Sequence, residues 1–256
     1  MSVVETLYAT FLQVVGEMNV DIAVAKAPKY AVRESGDTVE VVERPRGGIS
    51  VVMADGQRSG QSAKAISNMA VRKALSLLAE GVRDGAVARA AHDYLRTQRR
   101  GQVSAELVMI SVDLETRTLV ISRNSHCPVL LNEAGAWRTL DEPAETVGIH
   151  ERTRPVIVEL PLAAGQTVVA FSDGVLHAGD HRGRLLDPLQ VVEALVNQPS
   201  CTARQIADGL LDAALSADDR RPGDDVTAVV LQVTARPADS DIEIRRMTVS
   251  YPVSPI

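Results

Sequence analysis

A chain of 256 residues, 45% of them hydrophobic and with a mean hydropathy near zero, has the apolar material for a globular core of one large domain or two small ones. Aromatic residues make up only 3%, which removes the stacking platforms that single-stranded nucleic acids need and leaves the core to Val, Leu, Ile and Ala. A formal charge of −6 and a pI near 5.4 argue against a partner recognised through its phosphate backbone. Cys127 and Cys201 form no CxxC pair, so reduced thiols and a cytoplasmic location are expected. No apolar run approaches the roughly 18 residues of a membrane helix. The first residues carry Glu5 and no basic region, so no signal peptide is expected. Neither nucleic acid nor membrane is an expected partner.

In chain order, TLYATFLQVV (6–15) has the pattern of a short, packed amphipathic helix. Strand patterns follow over 21–27, 37–43 and 51–55. Residues 59–80 then place Ala63, Ile66, Met69, Ala70, Ala74, Leu77 and Leu78 at helical spacing, and Gly81 closes the run. A second helix is predicted over 82–100, with Val87, Ala90, Ala91, Tyr94 and Leu95 on one face. Residues 105–113 and 118–122 read as a hairpin, and further strands are predicted over 129–131, 137–140, 156–160 and 167–171. Two helices, 188–197 and 202–215, precede a last strand at 226–233, with Thr202 as the N-cap of the second. Strict βαβ alternation is absent, so the order predicts an α+β fold with mainly antiparallel sheets. The alternation in DIEIRRMTVSYPV makes 235–256 an edge strand or an ordered arm. One domain over 1–256, with its core at about 20–234, is the economical organisation.

Acidic residues recur at four junctions where strands meet loops. Asp55 ends an apolar strand in ADG, Asp173 does the same in FSDG, Asp224 and Asp225 open a strand in GDDVT, and Asp37 follows Ser35-Gly36 in SGD. Each alone is an ordinary turn signal. Together they let carboxylates converge at one sheet edge. Chemistry that uses only carboxylates is hard-cation chemistry: Mg²⁺ and Mn²⁺ prefer oxygen, whereas zinc favours His or Cys. The five histidines show no HExxH-like spacing. The glycine after Asp55 and after Asp173 allows close backbone approach, and the Gly56 carbonyl is itself a candidate ligand.

The ordered set SGD, ADG, FSDG and GDDVT resembles the metal-dependent protein phosphatases of the protein phosphatase 2C (PP2C) superfamily, in particular the sporulation stage II protein E (SpoIIE) type. SRNSHCPVLL at 122–131 resembles that branch's Asn-Ala-Gly-His-Pro segment. The resemblance implies a four-layer αββα sandwich, two mainly antiparallel sheets flanked by helices, with two Mn²⁺ or Mg²⁺ ions at one end. It makes Asp55 the ligand common to both ions, with the Gly56 carbonyl beside it. Asp37, Asp173 and Asp224 complete the set, and Asp225 orients water or caps its turn. Asp55 and Asp173 are the positions on which catalysis is expected to depend.

The implied activity is hydrolysis of a phosphoserine or phosphothreonine ester by water shared between the two ions. The implied partner is a phosphorylated protein such as an anti-sigma factor antagonist. Regulation is expected from a partner, from a homodimer, or from the two helices after the DG loop. The loop itself reads Asp-Gly-Gln-Arg-Ser-Gly where the family has Asp-Gly-Met-Gly-His-Gly. Arg58 there either clamps the substrate phosphate through its guanidinium fork or is an exposed loop residue. Gln57 cannot protonate a leaving group, and His126 and Cys127 are read as structural. Two alternatives stay open: a phosphatase fold that binds without turnover, and a two-metal hydrolase of a small phosphorylated molecule.

Overall fold

Period-two alternation of Val, Ile, Leu and Met builds the molecule. The structure, a computed structural model, describes residues 17–198, 200–236 and 244–251. Its strands are β1 (Met18–Ala27), β2 (Thr38–Glu43), β3 (Ile49–Gly56), β4 (Ala105–Asp113), β5 (Thr118–Asn124), β6 (Val129–Glu133), β7 (Ala136–Leu140), β8 (Val156–Pro161), β9 (Thr167–Phe171) and β10 (Val226–Ala235). The helices are α1 (Gly60–Ala79), α2 (Asp84–Arg99), the single turn α3 (Asp173–Leu176), α4 (Pro188–Val196) and α5 (Ala203–Ala217).

The strands form two five-stranded sheets, ordered β1-β10-β9-β6-β7 and β2-β3-β4-β5-β8, and every neighbouring pair is antiparallel. Alternate residues of one strand serve different cores. Val51 and Met53 of β3 meet Val229 and Leu231 of β10 between the sheets. Val52 and Ala54 face the other way, onto Ile66, Ala70 and Ala74 of α1 and Val87 and Ala91 of α2. On the second sheet, Val169 and Phe171 of β9 turn outward to Ile206, Leu210 and Ala214 of α5. Burying each such Val, Leu, Ile or Phe side chain contributes about 1.5–3 kcal/mol. The result is helices, sheet, sheet, helices: the expected αββα sandwich.

Local signals set the helix ends. Thr202 caps α5 in a capping box: its hydroxyl accepts from the Gln205 amide at 3.3 Å while Gln205 Oε1 accepts from the Thr202 amide at 2.9 Å. Asp187, not singled out in the sequence, caps α4. The start of α2 is tied down by a buried ion pair, Arg44 to Asp84 at 3.0 Å, with the Ser111 hydroxyl donating to the second Asp84 oxygen.

The boundaries differ from expectation mainly in strand length. β1 begins at Met18, before the expected 21, because Asp21 points outward while Val20 and Ile22 pack between the sheets. The tail departs further: residues 244–251 belong to neither sheet, so no edge strand forms over them. Their apolar side chains are exposed, and Arg245 pairs with Glu43 at 3.1 Å. The helix read over 6–15 lies outside the described residues.

Candidate metal centre

The strand ends bring the predicted carboxylates together. Asp55 is the penultimate residue of β3, Asp37 immediately precedes β2, Asp173 opens α3 two residues after β9, and Asp224 and Asp225 precede β10. Hydrogen bonds knit these segments to one another. Thr227 Oγ1 donates to Asp37 Oδ2 at 2.5 Å, and Ser172 Oγ donates to the Asp225 carbonyl at 3.2 Å while accepting from the Thr227 amide at 3.0 Å.

Asp225 resolves its two expected roles in favour of the backbone. Its carboxylate accepts from the Lys29 amide at 2.9 Å and the Gly36 amide at 2.8 Å, so it clamps the loop that delivers Asp37. The Asp37 carbonyl in turn accepts from Lys26 Nζ at 2.9 Å and Lys64 Nζ at 2.7 Å.

The glycines are dictated by close approach. A Cβ on Gly56 would lie 2.1 Å from the Ala63 carbonyl oxygen of α1, and one on Gly174 would lie 2.1 Å from the Asp225 carbonyl oxygen. Real Cβ atoms do not tolerate such distances, so the two DG glycines let a helix and a neighbouring segment press onto the site.

Electrostatics follow from burial and crowding. Burial, then the charges of Asp37, Asp173, Glu106 and Asp224, push Asp55 up to about 10. Burial raises Asp173 to about 6, reinforced by Asp224 and Glu106 and opposed by His177. Burial likewise raises Asp37 to about 6, with the Thr227 hydrogen bond pulling the other way. Asp37 Oδ1 and Asp173 Oδ1 are both buried with no hydrogen-bond partner. A buried carboxylate oxygen without a donor is costly unless a cation compensates it.

That donor set fits a hard divalent ion. Among the described residues, no three His, Cys, Asp or Glu side chains form a closed ligand group able to hold an ion by themselves. Mg²⁺ keeps several waters and takes only one or two carboxylates, so buried carboxylates with orphaned oxygens suit it, whereas a zinc site would be closed.

Sequence reasoning missed Glu106. In the β3–β4 register it stands directly opposite Asp55, and its charge acts on Asp55 and Asp173. The available signal was the pairing of two strands joined through α1 and α2, which puts the end of one beside the start of the next. Glu106 also anchors the 122–131 segment: it accepts from Ser125 Oγ at 2.5 Å and lies 2.9 Å from His126 Nδ1. The His126 side chain is itself 72% exposed, a surface group beside the acidic cluster. Cys127 is buried and its thiol is pushed up, an inert core residue as expected.

Arg58 is exposed with φ of +80°, a left-handed conformation that costs a non-glycine residue about 1–3 kcal/mol. Gln57 pins the other side of the loop, exchanging hydrogen bonds with Ser104 at 3.0 and 3.3 Å. Among the described residues Arg58 has no carboxylate partner.

This architecture, with acidic strand ends gathered at one edge, is that of the PP2C-type phosphatases. The model of the stage II sporulation protein E (SpoIIE) family matches residues 45–234, and the chain belongs to that family. Among solved structures, the PP2C phosphatase domain of SpoIIE from Bacillus subtilis with a fragment of its regulatory domain superposes with a TM-score of 0.75 at 18% identity. That match covers 87% of this chain and 65% of that one, so the chain spans slightly less than two thirds of the matched structure. The RsbU and RsbW domains of Rv1364c from Mycobacterium tuberculosis give a TM-score of 0.65 at 18% identity, covering 85% of this chain and 61% of that one. The catalytic domain of the serine/threonine phosphatase PstP in complex with two manganese ions gives 0.62 at 15% identity, covering 85% and 100%. No curated protein sequence matches the chain significantly. Among the described residues, no helix is long and apolar enough to cross a membrane.

Proposed function

We propose that the chain is a metal-dependent serine/threonine phosphoprotein phosphatase. The observation that carries this is the pair of buried carboxylate oxygens without partners, on Asp37 and Asp173, flanking an Asp55 that burial and its neighbours' charges keep from ionising. Only cations make such a cluster useful at neutral pH. The family membership and the manganese in the PstP structure support the same reading.

The residues divide the work. Asp55, the Gly56 carbonyl, Asp37, Asp173 and Asp224 hold two Mn²⁺ or Mg²⁺ ions. Those ions, when bound, supply Lewis-acid charge and lower the pKa of water. Arg58, free of any internal ion pair among the described residues, takes the non-reacting phosphate oxygens in its guanidinium fork. Thr227 and Asp225 keep Asp37 in place, one at the carboxylate and one through the Gly36 amide. The substrate is a small phosphorylated regulator of bacterial signalling, such as an anti-sigma factor antagonist, within the cytoplasm. The RsbU and RsbW domains of one neighbour support the signalling context by analogy of fold.

The test is hydrolysis of p-nitrophenyl phosphate and of a phosphothreonine peptide across a Mn²⁺ titration, with Asp55→Ala and Asp173→Ala alongside. Metal-dependent turnover that falls by at least about 100-fold in both variants supports the reading. A folded protein inactive at millimolar Mn²⁺ toward both substrates sinks it.

A further inference from the structure

The α1–α2 pair that covers the β3–β4 face leaves an open groove on its outer side. One part, of about 590 Å³, runs between the two helices past Met69, Arg72, Lys73, Tyr94 and Arg99. A second part, of about 360 Å³, begins at Gln57 and Arg58, beside the acidic cluster, and is also lined by Arg99. Ala65 and Arg99 line both, so the two parts adjoin and together lead away from Arg58 along α1.

The lining is one-signed. Arg58, Arg72, Lys73 and Arg99 contribute four cations, and among the described residues no carboxylate lines either part, in a protein whose Asp and Glu outnumber its Lys and Arg by 33 to 27. Among the described residues none of the four has an ion-pair partner, while Lys73 lies over the Tyr94 ring at 5.9 Å. Met69 and Tyr94 give the floor an adaptable apolar strip.

We propose that this channel docks an acidic extended segment of the phosphoprotein substrate, adjoining its phosphorylated residue. Positive walls beside an apolar floor match a chain bearing Asp or Glu at alternate positions with apolar residues between. The length agrees. From Ala65 to Ser76 the helix rises roughly 16 Å at 1.5 Å per residue, which about five extended residues span. With the phosphate at Arg58, the acidic positions therefore fall within about seven residues of the phosphoresidue.

This inference rests on the phosphatase reading, and the experiment separates the two. Phosphothreonine peptides with acidic, neutral and basic flanks are compared as substrates with Mn²⁺, and their binding to the unreactive Asp55→Asn protein is followed by fluorescence anisotropy. Acidic flanks are expected to raise kcat/KM and affinity at least about tenfold over neutral ones, and the advantage is expected to shrink at high salt. R72E/R99E, both exposed, is expected to remove that preference while p-nitrophenyl phosphate turnover and thermal stability stay at the parent's values. Flank-independent kcat/KM and affinity, or an acidic preference that survives R72E/R99E, overturns the docking channel. If no substrate is turned over, the phosphatase reading fails, but anisotropy still decides whether the groove takes the acidic segment. If R72E/R99E does not fold, R72Q/R99Q carries the same comparison, with a smaller expected loss of preference.

Discussion

Asp55 carries more electrostatic conflict than any other side chain of the site, since it is buried and four carboxylates add to the effect of that burial. At neutral pH folding therefore obliges this carboxyl to take up a proton, and an amide in its place removes that cost. Asp55→Asn is expected to abolish metal-dependent hydrolysis and yet raise the melting temperature of the EDTA-treated protein, by about 3 °C or more for each kcal/mol of that cost. Thermal scans with and without EDTA check this; a metal-free variant melting below its parent contradicts it. Asp225 behaves oppositely. Its two oxygens satisfy the Lys29 and Gly36 amides, so Asp225→Ala is expected to cost about 1–3 kcal/mol in denaturant unfolding and to weaken Mn²⁺ binding through Asp37. At this scale the sequence exposed Asp37, Asp55, Asp173 and Asp224 because each adjoins a strand end and a glycine. Glu106 has no such neighbour. It alternates with buried apolar residues in AELVMISV, where an ordinary solvent-facing glutamate would also stand.

Among elements, α1 is the one that reports on the site. Gly56 at the end of β3 lies beneath the Ala63 carbonyl, and the Ser67 hydroxyl of α1 donates to the Gly36 carbonyl at 2.5 Å and lies 2.7 Å from the Thr38 hydroxyl. Gly56→Ala is therefore expected to push α1 off the DG loop and to cost about 3 kcal/mol, with metal affinity falling alongside stability in calorimetry. The α2 end is held differently. Asp84→Ala leaves the buried Arg44 guanidinium with only the longer, 3.8 Å contact to Asp113 and is expected to cost about 3 kcal/mol in urea unfolding, without altering the affinity of the surviving fold for Mn²⁺. The helices themselves were legible from apolar spacing and a terminal glycine or capping threonine. The Arg44–Asp84 pair was not, because a charged residue at the first turn of a helix usually faces water and nothing local marks this one as buried.

At the scale of the whole molecule, protonation and metal binding compete for the same oxygens. Asp37 and Asp173 titrate near 6 in the folded protein against an ordinary 3.8, so the fold holds protons that the unfolded chain releases. The stability this contributes is full below 3.8 and is lost as the pH rises through 6. Mn²⁺ reverses that loss by replacing the protons. The gap in melting temperature between Mn²⁺-loaded and EDTA-treated protein is therefore expected to widen from about pH 5 to about pH 8; a constant gap would show that these carboxylates do not bind the ion. His92, buried and shifted down, is present in both samples and cancels. The layer order was readable from the element order, but which strands are neighbours was not, since antiparallel pairing across long connections leaves no local mark. One such pairing has a temporal consequence. Among the described residues β1 pairs only with β10, from Met18 opposite Ala235 to Ala27 opposite Val226, so β1 waits for β10. Closing so long a loop is slow. During synthesis, the early half of the chain emerges from the ribosome with an unpaired apolar edge, and the acidic cluster assembles only once the segment carrying Asp224 has cleared the exit.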